Sequence, residues 1–136
     1  MSEANQKTIE AVYAAFGRGD IPFILERVTD RTQWDFSVAQ SDVPWHMPAG
    51  SRSELPRFFQ AMAENVDFEA FEPRAFLSDS RSVVVKLRVA YRVKRTGRRV
   101  DEEQVHWWSF DDGGRISALR HYEDTAAVRA AWNQGA

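Results

Sequence analysis

Residues 82–123 read SVVVKLRVAYRVKRTGRRVDEEQVHWWSFDDGGRISALRHYE, and three strands can be drawn from them. Val83, Val85, Leu87, Val89, Tyr91 and Val93 alternate with a set that includes Lys86, Arg88 and Arg92, the period of two that gives a strand one core face and one wet face. Arg95-Thr96-Gly97-Arg98 predicts a two-residue hairpin. With Arg95 opposite Arg98, Arg92 falls beside Asp101, Tyr91 beside Glu102, Leu87 beside His106 and Val85 beside Trp108. Val100, Glu102, Gln104, His106, Trp108 and Phe110 then point toward the core. Asp111-Asp112-Gly113-Gly114-Arg115 predicts the next turn. With the two glycines central, Phe110 pairs with Ser117, Trp108 with Leu119 and His106 with His121, and Gln104 faces Glu123. One extra residue or a glycine bulge there would send everything after Gly114 to the other face.

Upstream, Ala4 to Phe16 spaces Ile9, Val12, Tyr13 and Phe16 three and four apart, the stripe of an amphipathic helix, which Gly17 and Gly19 stop. Asp20 caps a second short helix carrying Phe23, Ile24, Leu25 and Val28 inward, with Pro22 in its first turn. The two helices form a lid with one apolar side. Arg31 to Val38 reads as a strand, with Trp34, Phe36 and Val38 on one face. Ala39 to Gly50 has no period and holds Trp45, His46 and Met47, a loop of large side chains suited to gating a pocket mouth. Ser51 and Glu54 resemble a capping box for a helix from about Ser53 to Asn65. A strand around Phe68 to Phe76 precedes the three-strand run, and a helix of about Thr125 to Trp132, capped by Asp124 or Thr125, follows it. Helices first and an antiparallel meander after, with no strand-helix-strand alternation, predict an α+β fold.

The chain has 136 residues, room for one domain spanning 1–136. Five Trp and nine Phe supply a core, and 18 basic against 20 acidic residues give no field to draw the chain to nucleic acid or an anionic membrane. Zero cysteines exclude disulfides, thiolate nucleophiles and Cys-containing metal sites. With no apolar run of spanning length and no basic start ahead of one, a cytoplasmic protein is expected. The basic cluster Lys94, Arg95, Arg98 and Arg99 sits at a hairpin tip and reads as a solvated turn.

The inner sheet face collects Tyr91, Glu102, Gln104, His106, His121 and Glu123 among aromatic walls. A buried polar group without a partner costs about 1–3 kcal/mol, so a solid core would not gather so many. A ligand pocket is therefore expected, lined by Trp34, Trp45, Tyr91, Glu102, Gln104, Trp108 and Leu119, with Trp34, Trp45 and Trp108 suited to stacking on a flat apolar ligand.

Gly17-Arg18-Gly19-Asp20, Pro48-Ala49-Gly50 ahead of Ser53-Glu54-Leu55, and Thr96-Gly97-Arg98-Arg99 form an ordered series. Val105-His106 through Phe110-Asp111-Asp112-Gly113-Gly114-Arg115-Ile116 and Tyr122-Glu123-Asp124-Thr125-Ala126-Ala127-Val128 continue it. Together they resemble the SnoaL-like polyketide cyclase group of the nuclear transport factor 2-like superfamily over nearly the whole chain. The resemblance implies a cone of curved antiparallel sheet, three N-terminal helices on its concave side, a short C-terminal helix and an internal pocket. It also implies pairing of two copies through the outer sheet face, where Trp107, Arg120 and Tyr122 lie beside Lys86 and Arg88. Activities in the superfamily include cyclisation, ketosteroid isomerisation, epoxide hydrolysis, dehydration and plain binding. By resemblance, His106 stands where ketosteroid isomerases hold the protonated acid of the oxyanion hole, and His121 where polyketide cyclases hold the acid/base Asp. Phe36 stands at the isomerase base and cannot abstract a proton.

His106 and His121 on one inward face can supply an acid and a base near neutral pH, with Glu123 orienting His121 or acting as base. No His-x-x-x-His spacing, serine elbow or phosphate loop is present, so neither metal nor cofactor is expected. Two functions remain open: a cofactor-independent lyase, isomerase or cyclase acting on a small apolar carbonyl compound, and a non-catalytic hydrophobic-ligand-binding or adaptor protein.

Overall fold

A computed structural model describes residues 2–36 and 41–133. In chain order it places α1 (Ser2–Gly17), α2 (Ile21–Leu25), β1 (Val28–Phe36), a 3-10 turn at Arg52–Glu54, α3 (Leu55–Asn65), β2 (Val66–Ser78), β3 (Ser82–Val93), β4 (Arg99–Phe110), β5 (Ile116–Tyr122) and α4 (Thr125–Asn133). The α+β class and the expected elements are all present. Val38 and Ala39, assigned above to a strand and a loop, lie outside the described residues.

The strands form one sheet in the order β1-β5-β4-β3-β2. It is mixed where an antiparallel sheet was expected, because β1 lies parallel to β5, with Trp34 beside Leu119 and Phe36 beside His121. No hairpin joins these two strands; a long crossover through α3 and the meander does, and that permits the parallel direction. Two backbone hydrogen bonds between Trp34 and Ala49, at 2.8 and 2.9 Å, draw the loop after β1 along this edge of the sheet.

The β3–β4 hairpin corrects the expected register. Lys94 to Gly97 form a four-residue loop, closed by Gly97 N donating to Val93 O at 2.8 Å with Gly97 at φ +73°. Thr96 Oγ1 donates to Ala131 O of α4 at 2.6 Å, which holds the longer loop in place. Partners consequently slide by two: Arg92 faces Arg99, Tyr91 faces Val100 and Val85 faces His106. Asp101 is taken instead by Arg88, through hydrogen bonds at 3.0 and 2.8 Å. A slide of two keeps every side chain on its expected face. At the next turn Trp108 faces Leu119 and His106 faces His121 as expected, but a bulge between Ser109 and Phe110 sets Phe110 opposite Ile116 instead of Ser117.

The helices cap one side of this sheet. Asp20 Oδ1 accepts from Phe23 N at 3.2 Å, capping α2 as expected. Ser51 does not cap; Glu54 Oε1 accepts from Gly50 N at 2.6 Å, one residue earlier than a capping box requires. Of the three N-terminal helices, α1 packs on β2 and β3 and α3 on β2, whereas the five-residue α2 packs on α1 and α3. The basic hairpin tip is a solvated turn as expected: Lys94, Arg95, Arg98 and Arg99 are all exposed, with Arg95 over the Trp132 ring at 4.4 Å and Arg99 paired with Glu69.

Candidate active site

The concave face of the sheet and the helices enclose a hollow of about 80 Å³. Its walls are aromatic edges: Trp34 meets Trp108 at 5.4 Å and 86°, Phe36 meets Phe58 at 5.1 Å, and Tyr13 meets Phe71 at 5.2 Å. Trp34, Trp45, Tyr91, Gln104, His106, Trp108, Leu119, His121 and Glu123, all expected here, line it, and Glu102 reaches it through Gln104. An open apolar groove of about 790 Å³ between α1, α3 and β2 shares Phe16, Phe59, Met62, Phe68 and Phe71 with the hollow. The groove and the hollow therefore meet at these side chains. Trp45 and His46 do not gate the mouth: both are buried, and Trp45 packs edge-on to Trp132 of α4 at 5.9 Å.

One hydrogen-bond chain crosses the polar end. Trp108 Nε1 donates to Tyr13 Oη at 3.1 Å, and Tyr13 Oη donates to His106 Nδ1 at 2.7 Å. The Gln104 amide nitrogen donates to Glu102 Oε2 at 2.8 Å, which leaves Gln104 Oε1 to accept from His106 Nε2 at 3.1 Å and His121 Nε2 at 3.0 Å. Both imidazoles are thereby fixed as Nε2–H tautomers, their ring centroids 4.8 Å apart. His106 has both nitrogens engaged. His121 Nδ1 lies 3.3 Å from Glu123 Oε1, angled so that it has no hydrogen-bond partner. The other Glu123 oxygen, Oε2, accepts from His46 Nε2 at 2.8 Å, and His46 Nδ1 contacts Ser41 Oγ at 2.9 Å.

Electrostatics follow from burial. Removal from water holds His106 down at about 3. His121 is also held well below the usual imidazole value, first by burial and then by the neighbouring His106 and His46. Burial pushes Glu102 up to about 7, against the opposing Gln104 hydrogen bond. Both rings are therefore neutral at pH 7. Among the described residues no group of three or more His, Asp or Glu side chains is arranged to hold a metal ion.

Comparison with known proteins agrees with this fold. The sequence model of the SnoaL-like domain matches residues 9–119. The chain belongs to the SnoaL-like family. No curated protein matches its sequence. An NTF2-like protein from Burkholderia xenovorans LB400 superposes with a TM-score of 0.87 at 24% identity, covering 98% of each chain. A protein from Jannaschia sp. CCS1 named as a SnoaL-like polyketide cyclase gives 0.79 at 17% identity over 96% of this chain and 92% of that one. An epoxide hydrolase of the LEH-like type from M. tuberculosis gives 0.73 at 19% identity over 98% and 92%. At these identities the likeness shows the NTF2-like fold.

Within this SnoaL-like cone, Phe36 packs edge-on against His121 at 4.9 Å, so the position by resemblance of an isomerase base is an apolar wall of the histidine site. Sequence reading missed Tyr13 and His46 as members of the network. Tyr13 lay on the inward stripe of the first helix, where only its position argued for it. His46 sat in an aperiodic segment whose path depends on the Trp34–Ala49 bridge. On the outer face Trp107 is 48% and Tyr122 41% exposed. No described helix is long and apolar enough to cross a membrane.

Proposed function

We propose that this SnoaL-like protein moves a proton at the carbon beside the carbonyl of a small, mostly apolar compound without a cofactor, as an isomerase, lyase or cyclase. The observation that carries this reading is the buried Nδ1 of His121, which has no hydrogen-bond partner among the described residues, lies 3.3 Å from a buried carboxylate and belongs to a ring lining an apolar hollow. In this mechanism His121 Nδ1 takes the proton from carbon. The imidazolium so formed is stabilised by Glu123 Oε1 and Gln104 Oε1, and the proton is returned to a different atom of the same substrate. His106, with both nitrogens in use, acts as a positioning residue that fixes Gln104, in place of the oxyanion donor expected from resemblance. The likeness to proteins named as a polyketide cyclase and an epoxide hydrolase supports a small-molecule substrate. Pockets for drug-sized ligands measure about 300–1,000 Å³, so the groove and hollow together, and not the hollow alone, set the size of the substrate.

The test is α-hydrogen exchange in deuterium oxide over a panel of enolisable ketones. Wild type is expected to exchange, and His121→Gln to lose about 100-fold or more. Equal exchange in both proteins removes His121 from the mechanism. No exchange in either favours the second reading, a non-catalytic binder of hydrophobic metabolites, which the apolar Phe36 at the isomerase-base position supports. We also propose that two copies pair through the outer face around Trp107 and Tyr122.

A further inference from the structure

Two buried polar atoms of residues lining the hollow lack a hydrogen-bond partner among the described residues, His121 Nδ1 and Tyr91 Oη. Tyr91 is 3% exposed and lies on the inward face of β3. The two-residue slide of the hairpin puts Val100 opposite it and moves Glu102 opposite Val89, so the carboxylate expected directly across the strand pair stays nearby without hydrogen-bonding the hydroxyl. Trp45 packs edge-on to the Tyr91 ring at 6.1 Å and 88° and turns its indole N–H toward the hydroxyl, a donor that leaves the hydroxyl's own proton without an acceptor. Around it, His106, Gln104, Glu102 and His46 all have partners. Folded proteins leave few such hydroxyls, and each calls for a physical account. Burial, helped by the nearby Glu123 and Glu102 carboxylates, pushes the Tyr91 phenol far above its ordinary range, so the hydroxyl keeps its proton and remains a donor.

We infer that Tyr91 is a further substrate-contacting residue, its hydroxyl donating a hydrogen bond to an acceptor oxygen on a ligand held in the hollow. A ligand that satisfies both orphaned atoms carries an acceptor oxygen for Tyr91 and a hydrogen that His121 Nδ1 can receive, the pattern of an enolisable cyclic ketone. The second half of that pattern rests on the proton-transfer reading above; the Tyr91 contact does not. When the C–H bond breaks, its proton goes to His121 Nδ1 and its electron pair passes through the new C=C bond to the carbonyl oxygen. Tyr91 donates to the enolate oxygen so formed.

The probes are cyclohexanone and methylenecyclohexane, similar in shape and differing in the acceptor oxygen, titrated by ligand-observed NMR against wild type and Tyr91→Phe. Wild type is expected to hold the ketone about tenfold more tightly, roughly the worth of one hydrogen bond, and Tyr91→Phe to lose that preference. Without ligand, Tyr91→Phe is expected to melt at the same or a higher temperature, because it removes a buried O–H whose proton has no acceptor. Three results overturn the inference: a ketone preference that survives in Tyr91→Phe, no preference in wild type (binding of neither probe included), or a variant that melts lower or fails to fold. Loss of the preference together with no α-exchange in wild type keeps the Tyr91 contact and removes the proton-transfer reading. Thus the two can fail separately.

Discussion

His46 donates from Nε2 to Glu123 Oε2 at 2.8 Å, joining residues 77 positions apart, with side chains 0% and 3% exposed. A carboxylate so far from water depends on such partners. His46→Phe keeps the ring volume and removes the donor. It is expected to lower stability by about 2 kcal/mol, the range for a buried hydrogen bond to a charged group. His46→Gln, which can still donate, is expected to lose less. Urea unfolding of the three proteins measures this, and equal midpoints for His46→Phe and wild type would show that Glu123 is satisfied elsewhere.

Gln104 Oε1 holds both imidazoles of the hollow at 3.0–3.1 Å. Gln104→Glu replaces this shared neutral acceptor with an anion of the same shape, which favours the charged form of each ring. Both histidines are expected to titrate at higher pH than in wild type, read from their ring resonances by NMR. Exchange activity, if His121 works as a neutral base, is expected to fall at pH 6 more than at pH 8.

Much of this site was legible in the sequence, and the reason is parity. Residues two apart share a sheet face, so Gln104, His106 and Trp108 keep their inward direction although the hairpin slid by two. Pairing across strands was not legible to the same degree. It depends on the length of the Lys94–Gly97 loop, which Thr96 fixes by bonding to α4, a partner 35 residues on. The direction of β1 was hidden for a similar reason, since a parallel neighbour reached by a long crossover leaves no turn signature. The position of His46 rests on two backbone hydrogen bonds at Trp34 and Ala49. Side-chain pattern carries no trace of them.

Stability should respond to pH through one buried and two half-buried groups. His106 and His121 are held below their unfolded value of about 6.5, so the unfolded chain binds protons first. Their stabilising contribution is complete above that value and is lost as pH falls toward about 3 for His106. Glu102, raised from 4.5 to about 7, has the opposite sign: its contribution is complete below 4.5 and is lost as pH rises through 7. Between pH 6.5 and 4.5 two histidines oppose one glutamate, at about 1.4 kcal/mol per pH unit for each fully titrating proton. Wild type is expected to lose stability on acidification through this window. Glu102→Gln, which removes the opposing contribution, is expected to lose it more steeply, as measured by urea midpoints at pH 7, 6 and 5.

Trp107 and Tyr122 present aromatic surface on the convex face, with Arg120 over the Tyr122 ring at 5.7 Å and paired with Asp35. For the proposed pairing of two copies, wild type is expected to sediment as a dimer and Trp107→Glu as a monomer with an unchanged circular dichroism spectrum. A wild-type monomer at 100 μM would leave Trp107 as ordinary exposed surface.

Phe16 and Phe68 meet edge to face at 5.4 Å and 84° where the open groove joins the hollow, and Phe68 is 39% exposed. A ligand entering here must pass these rings before it reaches Phe71, whose ring is 6.3 Å from that of His106. Phe68→Ala removes the outer ring. Because that ring is half-exposed, the loss of stability is expected to stay near about 1 kcal/mol, well short of a core truncation. Association of a ketone, followed by stopped-flow quenching of Trp34 and Trp108 fluorescence, is expected to speed up severalfold, and Phe68→Trp to slow it. Unchanged rates in both variants would move the entrance to the Trp45 end of the cone, where the loop packs on α4.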